Sequence, residues 1–127
     1  MNTVLVVDDQ ADVRLALRFL LEDEGYIPVE ASEGQAGLET AVRLQPALIL
    51  LDVNMPGMDG LKTLSCLKSD ARTALIPVFL MSGDSGNLIC ASELGAADAI
   101  TKPWEERSLI RQVQRVMDSR SDYARTA

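Results

Sequence analysis

The sequence predicts an α/β domain with a doubly wound, five-stranded parallel sheet and five helices on both of its faces. Short apolar segments alternate five times with longer segments of helical periodicity, which is typical of repeated strand–helix units. The length of 127 residues, with 47% hydrophobic side chains, is enough for one core and too short for two domains. The first, third and fourth segments are the most apolar, as expected for strands covered on both sides.

The five apolar segments are the predicted strands, and their composition orders the sheet. They cover residues 4–7, 26–31, 47–51, 76–81 and 97–101. Pro28 in the second segment has no N–H for a sheet ladder, and the fifth segment is short and rich in alanine, so both belong at the edges. Right-handed crossovers then give the order 2-1-3-4-5, with a reversal between strands one and three.

Helical periodicity fills the intervals between the strands. The predicted helices cover residues 12–24, 35–44, 61–69, 86–94 and 105–118. Gly25 and Gly95 follow the first and fourth helices, and Pro46 follows the second; both residue types commonly end helices. We therefore expect one domain over residues 1–118. The polar residues 119–127 lack periodicity, and we expect a frayed tail or the start of a linker there.

The composition excludes several classes of function. Twelve basic and 19 acidic residues give a net charge of −7, so we expect no direct nucleic-acid binding. Without histidine there is no Ser-His-Asp or Cys-His triad and no Cys-His zinc site. Cys66 and Cys90 lack metal-ligand spacing, which fits a reducing, cytoplasmic compartment. The apolar runs are far shorter than the roughly 20 residues of a membrane helix, and the N-terminus lacks a signal-peptide pattern, so we expect no membrane partner.

Polar and charged side chains follow four of the predicted strands. Asp8 and Asp9 follow the first strand, Asp52 the third, Ser82 the fourth and Lys102 the fifth. Because the carboxyl ends of parallel strands lie at one edge of the sheet, we expect these side chains in one crevice at the strand-order reversal. Three carboxylates there require a cation, and oxygen ligands favour Mg²⁺, with Mn²⁺ as an alternative.

The same side chains suit phosphoryl chemistry. The cation and the Lys102 ammonium attract phosphoryl oxygens, Asp52 is the candidate nucleophile for an aspartyl phosphate, and Ser82 is a candidate donor to the new group. Taken singly, each residue has an ordinary alternative: Asp8 and Asp9 as helix caps, Asp52 as a turn residue, Lys102 as a solvated lysine. Their joint placement at successive strand ends favours the functional interpretation.

Four separated motifs resemble those of a response-regulator receiver domain of two-component signalling, over about residues 2–118. They are VLVVDD at residues 4–9, LLDVNMPGMDG at 50–60, the hydroxyl of Ser82, and TKP at 101–103. The resemblance implies the flavodoxin-like fold of chemotaxis regulators and a phosphorylation-dependent switch. Such a domain catalyses only its own phosphoryl transfer from phosphohistidine and its own dephosphorylation. We therefore do not expect this protein to turn over a metabolic substrate.

The resemblance also implies a role for each site residue. Asp52 would accept the phosphoryl group from a histidine kinase, and Lys102 would pair with that group. The bond between Lys102 and Pro103 is commonly cis in this family. The implied magnesium ligands are the side chains of Asp9 and Asp52, the main-chain carbonyl of Asn54 and, through water, Asp8.

The implied partners are a sensor histidine kinase or phosphotransfer protein, and a downstream effector protein or fused output domain. Phosphorylation would move Ser82 and Lys102 toward Asp52 and reshape the surface of the fourth helix, fifth strand and fifth helix. The domain is expected to be a monomer or a phosphorylation-dependent dimer.

One position departs from the family pattern. The family usually places Tyr or Phe three residues before the lysine, as a switch that turns inward, whereas this sequence has Ala99. Trp104 is interpreted as a core anchor. A phosphorylation-independent pseudo-receiver therefore stays open as an alternative. A phosphatase of the haloacid dehalogenase type is disfavoured, because Asn54 stands where its second Asp is needed.

Overall fold

Five parallel strands in the order β2-β1-β3-β4-β5 form the central sheet of the computed structural model, which describes residues 2–126 and the side chains of residues 2–119. The strands are β1 (Thr3–Val7), β2 (Ile27–Ala31), β3 (Leu48–Asp52), β4 (Val78–Ser82) and β5 (Asp98–Thr101). Every residue of β3 and β4 is buried, whereas β2 and β5 are partly exposed at the edges. The predicted order, and the edge position of the Pro28 strand, are confirmed.

Four α-helices and one short 3-10 helix occupy the described residues. They are α1 (Ala11–Asp23), α2 (Gly34–Leu44), α3 (Gly60–Ser69), the 3-10 helix (Ser85–Leu88) and α4 (Glu106–Thr126). The ends of the first three α-helices agree with the sequence within a residue or two. Gly25 follows α1 with a φ of 85°, and the side chain of Asp59 caps α3 by accepting the N–H of Lys62 at 2.8 Å.

The prediction of an α-helix at residues 86–94 is wrong. A 3-10 helix is followed there by consecutive turns, in which the N–H of Ala91 donates to the carbonyl of Leu88 at 3.1 Å. Gly86 and Asn87 are poor helix formers, and the side chain of Asp84 accepts the N–H of Gly86 at 2.9 Å, which favours a tight turn. Residues 2–126 therefore form four α-helices rather than five. The segment ends at Gly95, as expected, with a φ of 99°.

The last helix is longer than predicted. It continues to Thr126, past the end expected near residue 118, because no glycine or proline follows Pro103 to interrupt it. Residues 119–126 thus continue α4. The division of the chain into residues 1–118 and 119–127 stays a prediction.

The core lies on both faces of the sheet. On one face α2 and α3 pack over β1, β3 and β4, and on the other α1 and α4 pack over the same strands. Gly37 lets α2 approach β1 closely, since a Cβ at this position would lie 2.9 Å from Cγ2 of Val7. Among residues 2–126, no helix is apolar over a length sufficient to cross a bilayer. The two covered faces leave the carboxyl edge of the sheet free for polar side chains.

Candidate functional site

Two buried aspartates and one lysine meet at the carboxyl edge of the sheet. Asp8 comes directly after β1 and has no exposed surface, and Asp52 ends the neighbouring β3 and is 3% exposed. Lys102, directly after β5, crosses the end of β4 so that its Nζ lies 2.7 Å from Oδ2 of Asp8 and 3.2 Å from Oδ1 of Asp52. The structure thus brings together three of the residues that the sequence singled out from three separate strands.

The group of Asp8, Asp52 and Lys102 has an excess of negative charge. Burial raises the pKa of Asp52, and the nearby charge of Asp8 raises it further, while the Lys102 ammonium lowers it only in part. Burial would lower the pKa of Lys102, but its hydrogen bond to Asp8 and the charges of Asp8 and Asp52 prevail and raise it. One ammonium is therefore shared by two carboxylates, and the group attracts a further cation.

Asp9 adds a third carboxylate at the edge of this buried pair. It is exposed to solvent, and one oxygen from each of Asp8, Asp9 and Asp52 lies within 4.8 Å of the others. Such a set of carboxylate oxygens, partly open to water, suits an ion that prefers oxygen ligands and keeps several waters, as Mg²⁺ does. The residues present fit the cation that the sequence implied.

The position of Asp8 is fixed by two contacts, of which the one with Arg14 was not expected from the sequence. Its Oδ1 accepts the N–H of Gln10 at 2.9 Å, and its main-chain carbonyl accepts Nη1 of Arg14 at 2.7 Å. Arg14 in turn forms an ion pair with Glu30 of β2, with 3.2 Å between Nε and Oε1. The spacing of charged residues gives no signal for a side chain that bonds a carbonyl six positions earlier.

Ser82 ends β4 with no exposed surface, and its hydroxyl oxygen accepts several hydrogen bonds. The donors are the main-chain N–H of Asp84 at 3.0 Å, Nδ2 of Asn87 at 3.2 Å and Nδ2 of Asn54 at 3.4 Å. Asn54 also donates its main-chain N–H to Oδ1 of Asp52 at 3.4 Å. The serine lies at the predicted strand end, and among the described residues its hydrogen bonds run to the loops rather than to Asp52.

The loop after Asp52 brings residue 60 back against the main chain of Asp52 and Val53, and this close approach requires glycine at position 60. The N–H of Gly60 donates to the carbonyl of Val53 at 2.9 Å, and a Cβ on Gly60 would meet the carbonyl oxygen of Asp52 and lie 2.6 Å from Cα of Val53. These are backbone atoms that cannot rotate away. The loop of residues 53–59 is thus folded against the site by the first residue of α3.

The surface at β5 carries the small Ala99 at the position where the family usually has an aromatic side chain. A cavity of about 290 Å³ lies against Ala99 and Trp104, and Nε2 of Gln112 in α4 donates to the carbonyl of Ala99 at 3.2 Å. Trp104 is half-buried and packs on the core of the α1–α4 face, in agreement with its interpretation as a core anchor. The Lys102–Pro103 bond is cis, as the resemblance implied.

Comparison with known protein families decides what kind of domain carries this site. The sequence model described as "Response regulator receiver domain" matches residues 4–114. The chain belongs to the response-regulator receiver family. This receiver domain is thus of the type found in two-component response regulators.

Curated relatives of the receiver domain are response regulators of about twice its length. It is 37% identical over 116 residues to the phosphate regulon transcriptional regulatory protein PhoB of Klebsiella pneumoniae, covering 90% of this chain and 51% of the relative. It is 38% identical over 111 residues to the nitrate/nitrite response regulator protein NarL of Escherichia coli K12, covering 86% of this chain and 51% of the relative. The chain therefore spans about half the length of these relatives.

Solved structures confirm the fold of the receiver domain. The chemotaxis protein CheY4 of Vibrio cholerae superposes with a TM-score of 0.84 at 27% identity, covering 91% of this chain and 98% of that one. The signal receiver domain of a signal transduction histidine kinase from Syntrophus aciditrophicus superposes with a TM-score of 0.85 at 30% identity, covering 94% and 92%. The fold class is the one expected from the sequence, with one helix fewer.

Proposed function

We propose that this receiver domain is a phosphorylation-dependent switch in which Asp52 accepts a phosphoryl group from the phosphohistidine of a sensor kinase or phosphotransfer protein. The observation that carries the proposal is the buried Asp52 carboxylate beside Asp8 and Lys102. An Asp52 oxygen forms a bond to phosphorus while the phosphorus–nitrogen bond breaks, and the electron pair of that bond stays on the imidazole nitrogen. The product is an aspartyl phosphate.

A magnesium ion is proposed to be held by Asp9, Asp52 and the main-chain carbonyl of Asn54, with Asp8 bound through water. The close grouping of the three carboxylates supports this assignment. When bound, the ion supplies positive charge that offsets the carboxylates and the phosphoryl oxygens. Mn²⁺ satisfies the same oxygen ligands.

Lys102 and Ser82 are proposed to contact the phosphoryl oxygens. The Lys102 ammonium, already 3.2 Å from Oδ1 of Asp52, is the nearest positive charge to the acceptor. A charge-assisted hydrogen bond from this ammonium and one from the Ser82 hydroxyl would hold the new group in the crevice. Ser82 ends β4 and Lys102 directly follows β5, so their movement would be passed to the loops that follow these strands.

Phosphorylation would change the surface offered to a partner. It adds about −1.5 to −2 charges at Asp52 and three acceptor oxygens. The response we propose involves the segment of residues 85–95, β5 and α4, which adjoin Ser82 and Lys102 in the chain. The relatives PhoB and NarL are about twice this length, which supports a fused output domain as the downstream partner; a separate effector protein is the alternative.

Intact mass after incubation with acetyl phosphate and Mg²⁺ tests this proposal. The unsubstituted protein should gain one phosphoryl group, Asp52→Asn should gain none, and EDTA present during the reaction should prevent the gain. Asp59→Asn, which alters a carboxylate in the same loop, is the matched control and should be modified normally. Absence of an adduct on the unsubstituted protein, together with no binding of beryllofluoride, would contradict the proposal and favour the pseudo-receiver.

A further inference from the structure

Asn87 contacts the buried Ser82 hydroxyl from the 3-10 helix that follows β4. Its Nδ2 lies 3.2 Å from Oγ of Ser82, and its own main-chain N–H donates to the carbonyl of Asp84 at 3.0 Å. The side chain is half-buried, so only part of it remains open to solvent. A residue of the loop thus reaches back five positions to a functional group at the strand end.

The Ser82 oxygen is held on the side of the loop. Two of its three donors, the N–H of Asp84 and the amide of Asn87, belong to the chain that leaves β4, and the third is Asn54. A hydroxyl oxygen has two lone pairs, so these donors already occupy its accepting capacity. The O–H of Ser82 can still donate, but a turn of Oγ about the Cα–Cβ bond toward a group on Asp52 moves the oxygen away from the donors of Asp84 and Asn87.

The segment of residues 85–95, which holds Ser82, is exposed over much of its length. Leu88 and Ala91 pack on the hydrophobic core, while Ile89 is 81% exposed and Leu94 is 47% exposed. Its main-chain bonds are those of a short 3-10 helix and turns, which break more readily than a regular helix. A change at the Ser82 hydroxyl can therefore alter this segment at small energetic cost.

We infer that Asn87 is a positioning residue that retains the Ser82 hydroxyl on the side of the loop and links its movement to the 3-10 helix. The inference rests on the proposed function, because it concerns the response of Ser82 to a phosphoryl group on Asp52. Release of the Asn87 amide accompanies occupation of the site, and the segment of residues 85–91 loosens with it. Because β5 carries Ala99 rather than an aromatic side chain, the contact of Asn87 with Ser82 offers a direct path from the site to the surface.

Beryllofluoride binding with Mg²⁺, measured by calorimetry, tests the inference. Asn87→Ala removes the donor, so it should bind beryllofluoride roughly two- to tenfold more tightly than the unsubstituted protein, the range for one lost neutral hydrogen bond. Asn87→Asp presents a carboxylate that accepts a hydrogen bond from the Ser82 hydroxyl and holds it away from Asp52, so this variant should bind beryllofluoride more weakly. Ser85→Ala and Ser85→Asp are the matched controls, since Ser85 is exposed on the same 3-10 helix and the second carries the same added charge.

Amide hydrogen exchange supplies a readout that does not depend on affinity. In the unsubstituted protein, exchange over residues 85–91 should become faster when beryllofluoride binds. In Asn87→Ala it should already be fast before binding, and in Ser85→Ala it should match the unsubstituted protein.

The outcomes separate this inference from the proposed function. Unsubstituted protein that binds beryllofluoride, with Asn87→Ala equal to it in affinity and exchange, would overturn the role of Asn87 and leave the proposed function intact. Equal weakening by Asn87→Asp and Ser85→Asp would also overturn it, because charge alone would then account for the effect. Failure of the unsubstituted protein to bind beryllofluoride with Mg²⁺ would overturn both.

Discussion

The ammonium of Lys102 lies 2.7 Å from Oδ2 of Asp8, a residue with no exposed surface. The contact joins residues 94 positions apart, at the ends of β1 and β5. Because the same ammonium also neighbours Asp52, it is the positive charge that both buried carboxylates share. The stability and the chemistry of the site therefore depend on the same side chain.

Replacement of Lys102 by methionine should destabilise the metal-free protein. The methionine keeps the apolar stem and leaves two buried carboxylates without their partner, so the free energy of unfolding should fall by about 2–4 kcal/mol. Urea unfolding in EDTA at pH 7 measures the change. Lys62→Met, at an exposed position of α3, is the control and should stay within about 0.5 kcal/mol of the unsubstituted protein. Equal stability of the two variants would contradict the account.

Replacement of Asp52 by asparagine should stabilise the metal-free protein at neutral pH. The pKa of Asp52 is raised above its usual value of 3.8, chiefly by burial, so the ionised carboxylate disfavours the folded state. That unfavourable contribution is absent below pH 3.8 and grows as the pH rises through the pKa of the folded protein. At pH 7 the free energy of unfolding of Asp52→Asn should therefore exceed that of the unsubstituted protein by more than about 0.5 kcal/mol.

The pH dependence is the control for this prediction. The advantage of Asp52→Asn should shrink as the pH falls toward 3.8, when the carboxyl is protonated in both states. Asp12→Asn removes the same charge from an exposed position of α1 and should give no comparable gain. If Asp52→Asn is less stable than the unsubstituted protein at pH 7 in EDTA, the prediction is wrong. The hydrogen bond from Lys102 would then stabilise the Asp52 carboxylate more than its burial and its repulsion by Asp8 destabilise it.

Magnesium should raise the unfolding temperature of this receiver domain. A ligand that binds only the folded state stabilises it by about 2.7 kcal/mol at a hundred times its dissociation constant. The midpoint of thermal unfolding should therefore increase with Mg²⁺ and return with EDTA. Asp9→Asn should abolish most of the increase, whereas Asp12→Asn should retain it. An equal response of both variants would show that Asp9 does not hold the ion.

A methyl group on Gly60 should be poorly tolerated. The added Cβ would meet the main chain of Asp52 and Val53, so the loop has to shift, and the free energy of unfolding should fall by about 1–3 kcal/mol. Chemical denaturation of Gly60→Ala measures this loss. Gly83→Ala is the matched substitution, since the nearest atom to its Cβ would be 3.9 Å away, and it should be tolerated. Similar losses at both positions would contradict the packing argument.

The arrangement of the sheet and the identity of the clustered side chains were predictable from the sequence. Alternating apolar segments fix the number of strands, Pro28 places the second strand at an edge, and residues after strand ends in a parallel sheet share one edge by geometry. The proximity of Asp8, Asp52 and Lys102 follows from these rules, and it could be predicted without knowing the conformation of any loop.

The segment after β4 was not predictable in the same way. Its apolar spacing suggests a helix, yet Gly86, Asn87 and the side chain of Asp84 favour a 3-10 helix and turns. Periodicity records which residues face the core, and it carries no information on side-chain bonds such as that of Asn87 to Ser82. Likewise, the bond from Arg14 to the carbonyl of Asp8 depends on the packing of α1 against β2.

Chemical trapping of the modified residue tests the central claim most directly. After treatment with acetyl phosphate and Mg²⁺, borohydride reduces an aspartyl phosphate to homoserine, and peptide mass spectrometry locates that residue. We expect homoserine at position 52 alone, with none formed when the reaction contains EDTA. Homoserine at another aspartate, or none while beryllofluoride also fails to bind, would contradict the assignment of Asp52 as the phosphoryl acceptor.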